Sequence, residues 1–141
     1  MYQSLYSSSR SGAEGCELTT RMALVTFSPV LSSKVLADAI RPRLQAGDVV
    51  EIHGEYEAGS TLGFYLRRQV RILDGRSSDL WYGSFFSDAP RIFDDDASFR
   101  PLWSGSQRIF LWTPVDQLPA LRGTAYVIAQ SGGKEILSNR P

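Results

Sequence analysis

The sequence predicts an α/β domain: a three-layer sandwich around a mainly parallel sheet of about five strands, ending in an antiparallel hairpin. Three stretches carry that expectation. Asp48 to Gly75 reads as strand, glycine-bearing loop, helix, strand, closed by the turn pair Asp74-Gly75. Two strands bridged by a helix run parallel when they share a sheet, and such a sheet needs cover on both faces. Arg108-Ile-Phe-Leu-Trp-Thr113 is apolar at successive positions, as a central strand should be, and Ser131-Gly-Gly-Lys134 joins two final β-rich runs.

The elements follow in order. Residues 1–21, with five serines in the first twenty and no hydrophobic period, read as a flexible tail outside the fold, and residues 22–141 as one domain. Met22 to Leu31 is apolar, but Ser28-Pro29 favours an extended entry over a helix. Ser32 or Ser33 can cap a helix that places Val35, Leu36, Ala39, Ile40 and Leu44 on one side; Pro42 kinks or ends it and Gly47 marks the exit. Asp48 to Gly54 forms the first strand. Ser60 offers an N-cap to Thr61–Arg68, with Leu62, Tyr65 and Leu66 on one face. Gln69 to Leu73 is the second strand.

Arg76 to Phe86 is aromatic-rich without a clean period, which predicts a structured loop. Asp94-Asp-Asp96 suits the start of a short helix over Ala97–Trp103, because carboxylates favour a helix N-terminus. A helical turn over Val115–Leu121 then leads to the strand Ala125–Ala129 and the hairpin with Glu135–Ser138.

Composition bounds function. At 43% hydrophobic over 141 residues, the chain can build one core and is not expected to hold two. Fifteen basic and fifteen acidic residues cancel, which removes the long-range attraction a nucleic acid would exploit. A single Cys16 cannot pair internally, and a single His53 cannot build a histidine-rich metal site. No signal peptide opens the chain, and no apolar run approaches the roughly 20 residues of a membrane span.

No constellation specifies a reaction, so no catalytic residue, metal site or cofactor is assigned. Gly54 to Thr61 has the glycine spacing of a phosphate loop, but Ser60 stands where the lysine belongs, and Glu55 and Glu57 would repel an anion. His53 has no evident nucleophile beside it. Asp94-Asp-Asp96 lacks the spaced oxygens of a calcium loop. Glu55, Tyr56 and Tyr65 can line a crevice at the strand carboxyl ends, where such sheets bind ligands, and a carboxylate beside aromatics suits a sugar. With Trp81 and Tyr82 they form the set of candidate ligand or interface contacts.

Scattered patches add a resemblance. Phe27-Ser-Pro-Val-Leu-Ser-Ser-Lys34, Gly47-Asp-Val-Val-Glu-Ile-His-Gly-Glu-Tyr56, Phe64-Tyr65, Leu80-Trp-Tyr-Gly83, Ile92-Phe-Asp-Asp95 and Ser131-Gly-Gly-Lys-Glu-Ile-Leu-Ser-Asn-Arg140 resemble the C-terminal soluble domain of bacterial membrane glycosyltransferases similar to aminoarabinose transferase and protein mannosyltransferase. The resemblance spans roughly Ala23 to Pro141. It implies an accessory domain on the extracytoplasmic face of the inner membrane, partnered by a membrane domain that uses a polyprenyl-phosphate sugar, with lipid-linked sugar or acceptor nearby. It carries over no catalytic residue, and it makes Met22–Leu31 the junction leaving the last span. The alternative is a free-standing module that binds a sugar or nucleotide at the loop after the first strand.

Overall fold

The computed structural model describes residues 10–121 and 123–141. In chain order the elements are α1 (Arg10–Leu31), α2 (Lys34–Ile40) with a 3-10 turn at Arg41–Arg43, β1 (Val49–His53), α3 (Tyr56–Leu66), β2 (Arg71–Leu73), α4 (Ser78–Gly83), β3 (Phe93–Asp94), α5 (Asp96–Ser104), β4 (Ile109–Pro114), β5 (Tyr126–Ser131) and β6 (Lys134–Ser138). One six-stranded sheet runs in the order β3-β2-β1-β4-β6-β5. β1 pairs parallel with β2 (Ile52 opposite Ile72) and with β4 (Val50 opposite Phe110), so the crossover through α3 has the expected direction. β6 pairs antiparallel with β4 on one side and with β5 on the other. Gly132 and Gly133 turn the hairpin, both at positive φ as a two-residue type I′ turn requires.

The two sheet faces bury different helices because successive strand residues point to opposite sides. Val50, Ile52, Phe110, Trp112 and Ile136 pack with Leu36, Ala37 and Ile40 of α2 and Leu62 of α3. Leu73, Ile109, Leu111 and Leu137 pack with Phe99 and Trp103 of α5. β4 therefore feeds both cores, which is why its sequence alternates nowhere.

Several boundaries differ from the expectation. Met22–Leu31 is helical, not an extended entry, and the helix continues back to Arg10 through residues read as tail. Pro29 lies in its last turn, where the missing N–H removes one hydrogen bond and leaves the remaining turns intact. α3 starts five residues before Thr61, with Glu55 and not Ser60 at the N-cap. Gly54 at φ +84° makes the sharp exit from β1 that lets the helix begin so early. The aromatic stretch holds a short helix, α4. Asp94 ends the two-residue strand β3, and Asp95 is the true cap of α5: its carboxylate accepts from Ser98 N at 2.8 Å, and Ser98 Oγ accepts from Asp95 N. No helix forms over 115–121; a turn at Val115–Asp116 leads into irregular chain.

Candidate functional site

Strand order reverses between β1 and β4, the place where an open α/β sheet ordinarily receives a ligand at the strand carboxyl ends. Here side chains and loop backbone close that place. His53 Nδ1, at the end of β1, lies 3.1 Å from Thr113 Oγ1, at the end of β4. The Thr113 hydroxyl lies 3.2 Å from the carbonyl oxygens of both Pro114 and Gln117, tying the 115–121 loop across the opening. Burial lowers the His53 pKa against the opposing pull of Asp74, so the imidazole is neutral at pH 7.

The glycine-bearing loop also leaves no cradle. A Cβ on Gly75 would lie 2.0 Å from Gly54 O, so the two strand-end turns touch backbone to backbone. Gly59 lies inside α3, where a Cβ would meet Ile52 Cγ2 at 2.7 Å. Gly59 thus serves the close seating of α3 on β1, and Gly75 the contact between the two strand-end turns.

The five residues singled out from sequence do not converge. Glu55 is exposed at the head of α3. Tyr56 is half-buried against the α2/α3 core and lines a shallow apolar hollow of about 310 Å³ with Val70, Leu80 and Ile92. Tyr65, also packed on that core, lines a different open cleft of about 750 Å³ with Arg41, Phe64 and Arg67. Its ring meets Phe64 edge to face at 5.3 Å. Trp81 is 47% exposed and Tyr82 79%, and Trp81 sits edge-on to Phe85 at 5.0 Å. Of the three tryptophans, Trp103 and Trp112 are core residues.

Two polar groupings went unnoticed in the sequence. On the α5 face, the Asp94 carboxylate accepts two hydrogen bonds from Arg71, each 2.6 Å, and one from Ser98 Oγ at 3.1 Å. Beside this pair Glu51 is fully buried, and neither carboxyl oxygen finds a hydrogen-bond partner. Burial, reinforced by the nearby Asp94 charge and only partly offset by Arg71, pushes its pKa up to about 8. Asp94 also lines a cleft of about 480 Å³ at the ends of β2 and β3 with Asp74, Arg76, Phe93, Asp95 and Ser98. Among the described residues no group of three or more His, Cys, Asp or Glu side chains is arranged to hold a metal ion. The second grouping lies where α1 meets the body, around Ser33, Thr61, Trp112 and Lys134.

α1 itself is unlike the rest of the surface. Met22, Leu24, Val25, Phe27, Val30 and Leu31 are 56–74% exposed, a concentration of apolar side chains that water does not favour. Among the described residues no single helix is long and apolar enough to cross a membrane. The bent pair Thr19–Leu31 and Lys34–Arg43 would pass by length and composition together, but Leu36, Ala37 and Ile40 in its second arm are core residues of the sheet domain. Within that pair the exposed apolar side chains are concentrated on α1.

The chain has counterparts among solved structures. It is similar to ArnT, an aminoarabinose transferase, from Cupriavidus metallidurans in the apo state, with a TM-score of 0.64 and 25% identity over 79% of this chain. It is also similar to the same enzyme bound to undecaprenyl phosphate, with a TM-score of 0.59 and 24% identity over 76% of this chain. The chain spans about a fifth of the length of those structures, 20% and 19% respectively. No protein-family model matches it, and no curated protein does. The likeness supports a relation to the ArnT family of membrane glycosyltransferases.

Proposed function

We propose that the chain acts as the extracytoplasmic accessory domain of a glycosyltransferase that takes sugar from a polyprenyl-phosphate donor, and that it carries no transfer activity alone. The observation that supports this most is α1: a helix of exposed apolar side chains leads directly into a domain similar to one fifth of ArnT. In this reading Met22–Leu31 is the end of a membrane-side helix, and the partner that covers it is the membrane domain with its surrounding lipid. The exposed Trp81 and Tyr82, together with Glu55, are contacts toward that partner or toward an acceptor. Tyr56 and Tyr65, half-buried on the core, support the surface from behind.

The closed strand-end crevice and the touching Gly54 and Gly75 backbones argue against the alternative of a free-standing nucleotide or sugar module. The test is direct. Purified chain incubated with undecaprenyl-phosphate sugar and acceptor is expected to give no product above a protein-free control. Sustained turnover by the chain alone would refute the proposal.

A further inference from the structure

Five separate contacts converge on Pro29, Val30, Ser32 and Ser33, where α1 ends and α2 begins. The last carbonyls of a helix have no partner within it, and Val30 O, in the final turn of α1, accepts from Lys134 Nζ at 2.6 Å. That ammonium group also sits 5.9 Å from the centre of the Trp112 ring and is partly desolvated, which lowers its pKa. A cation at this end of a helix is favoured by the helix dipole as well. Beside it, Gly132 at the hairpin tip presses on the helix: an added Cβ would lie 1.9 Å from Pro29 O.

The break itself is pinned from below. Ser33 is fully buried and uses both of its groups: its N–H donates to Thr61 Oγ1 of α3 at 2.9 Å, and its Oγ accepts from Trp112 Nε1 of β4 at 3.1 Å. Ser32 Oγ donates to the Tyr65 hydroxyl at 3.5 Å and accepts from Lys34 N at 3.2 Å. A flexible linker would show none of this. Linkers are solvated, whereas Ser32 and Ser33 are hydrogen-bonded to α3 and β4, and Val30, in the turn before them, to β6.

We infer that Pro29–Ser33 with Thr61, Trp112, Gly132 and Lys134 forms a rigid coupling joint that sets the 56° bend between α1 and the helical segment Lys34–Arg43 that follows it, so that movement of α1 is passed directly to the central strand β4. Its bearing on a membrane partner rests on the reading of α1 given above; the rigidity itself does not. The joint orients the domain by construction, because the helix cannot swing without breaking the Lys134 contact or lifting Ser33 off Trp112.

Pulsed electron–electron resonance on the full chain reads the angle. Spin labels at Val25→Cys and Val127→Cys, both exposed, in a Cys16→Ser background are expected to give one narrow distance distribution. Lys134→Met should at least double its width, and Ser33→Ala should broaden it further. Gly132→Ala should move the mean distance by several ångströms or more. Lys34→Met, which removes only a surface pair with Asp38, serves as the control and should change nothing. Thermal unfolding of each variant confirms that it is folded, and Lys134→Met keeps the test open if Gly132→Ala is not. A broad wild-type distribution, or a narrow one unmoved by both Lys134→Met and Ser33→Ala, would overturn the joint. Either result leaves membrane binding by α1 standing or falling on its own measurement.

Discussion

Glu51 sits opposite Arg71 in the β1–β2 ladder, fully buried, with its carboxyl unpartnered. A buried carboxylate without donors is more costly than the neutral acid, so the proton stays on. With a pKa of about 8 in the fold against an ordinary 4.5, the folded chain holds one more proton than the unfolded chain between those values. Its contribution is therefore fully present below about pH 4.5 and is lost progressively as pH rises to about 8, with a limiting slope of about 1.4 kcal/mol per pH unit. Thermal melts from pH 5 to 9 should show this fall in the wild type and a flatter profile in Glu51→Gln; identical profiles would contradict the assignment. Sequence could not give this residue away, because a glutamate between Val50 and Ile52 reads as the solvent-facing member of an alternating strand. His53, with no evident nucleophile beside it in sequence, has the Thr113 hydroxyl 3.1 Å away in space, a neighbour sixty positions on that no local pattern reveals.

At the scale of elements, what the sequence reveals depends on whether an element is specified locally. β4 was legible because a strand buried on both faces leaves a continuous apolar run, and α5 because three carboxylates stand at its start, where the helix dipole favours them. The two residues of β3 were not: they form a strand only because Ile72 N and Asp74 N donate to Ile92 O and Asp94 O across the gap. α3 was placed too late because its glycines looked like loop residues. They are packing positions, and this can be tested. Gly59→Ala gains roughly 1 kcal/mol of helix propensity but forces a methyl to within 2.7 Å of the buried, β-branched Ile52, an overpacking that costs about 1–3 kcal/mol. Denaturant unfolding should show net destabilisation for Gly59→Ala and none for Gly83→Ala, where an added Cβ meets nothing within 4 Å. Equal stability of the two variants would mean that α3 does not press on β1 as described.

For the whole molecule, the α/β class, the parallel crossover and the terminal hairpin followed from hydrophobic pattern and turn chemistry. The strand order did not, because nothing local says whether β4 joins the β2 edge of β1 or the other one. Placement of the candidate site residues was the least legible: Tyr56 and Tyr65 line separate hollows, while Glu55, Trp81 and Tyr82 are exposed. What the fold does concentrate is apolar surface on α1, and the functional reading turns on it. Each large side chain on that helix gains about 1.5–3 kcal/mol when fully withdrawn from water, so removing three of them should weaken partition into a bilayer by at least ~100-fold. Co-flotation of the chain with phospholipid vesicles measures this directly. The wild type is expected to rise with the vesicles while Leu24→Ser/Phe27→Ser/Val30→Ser, still folded by its melting curve, stays at the bottom of the gradient; a wild type that stays there too would contradict a membrane-side role for α1.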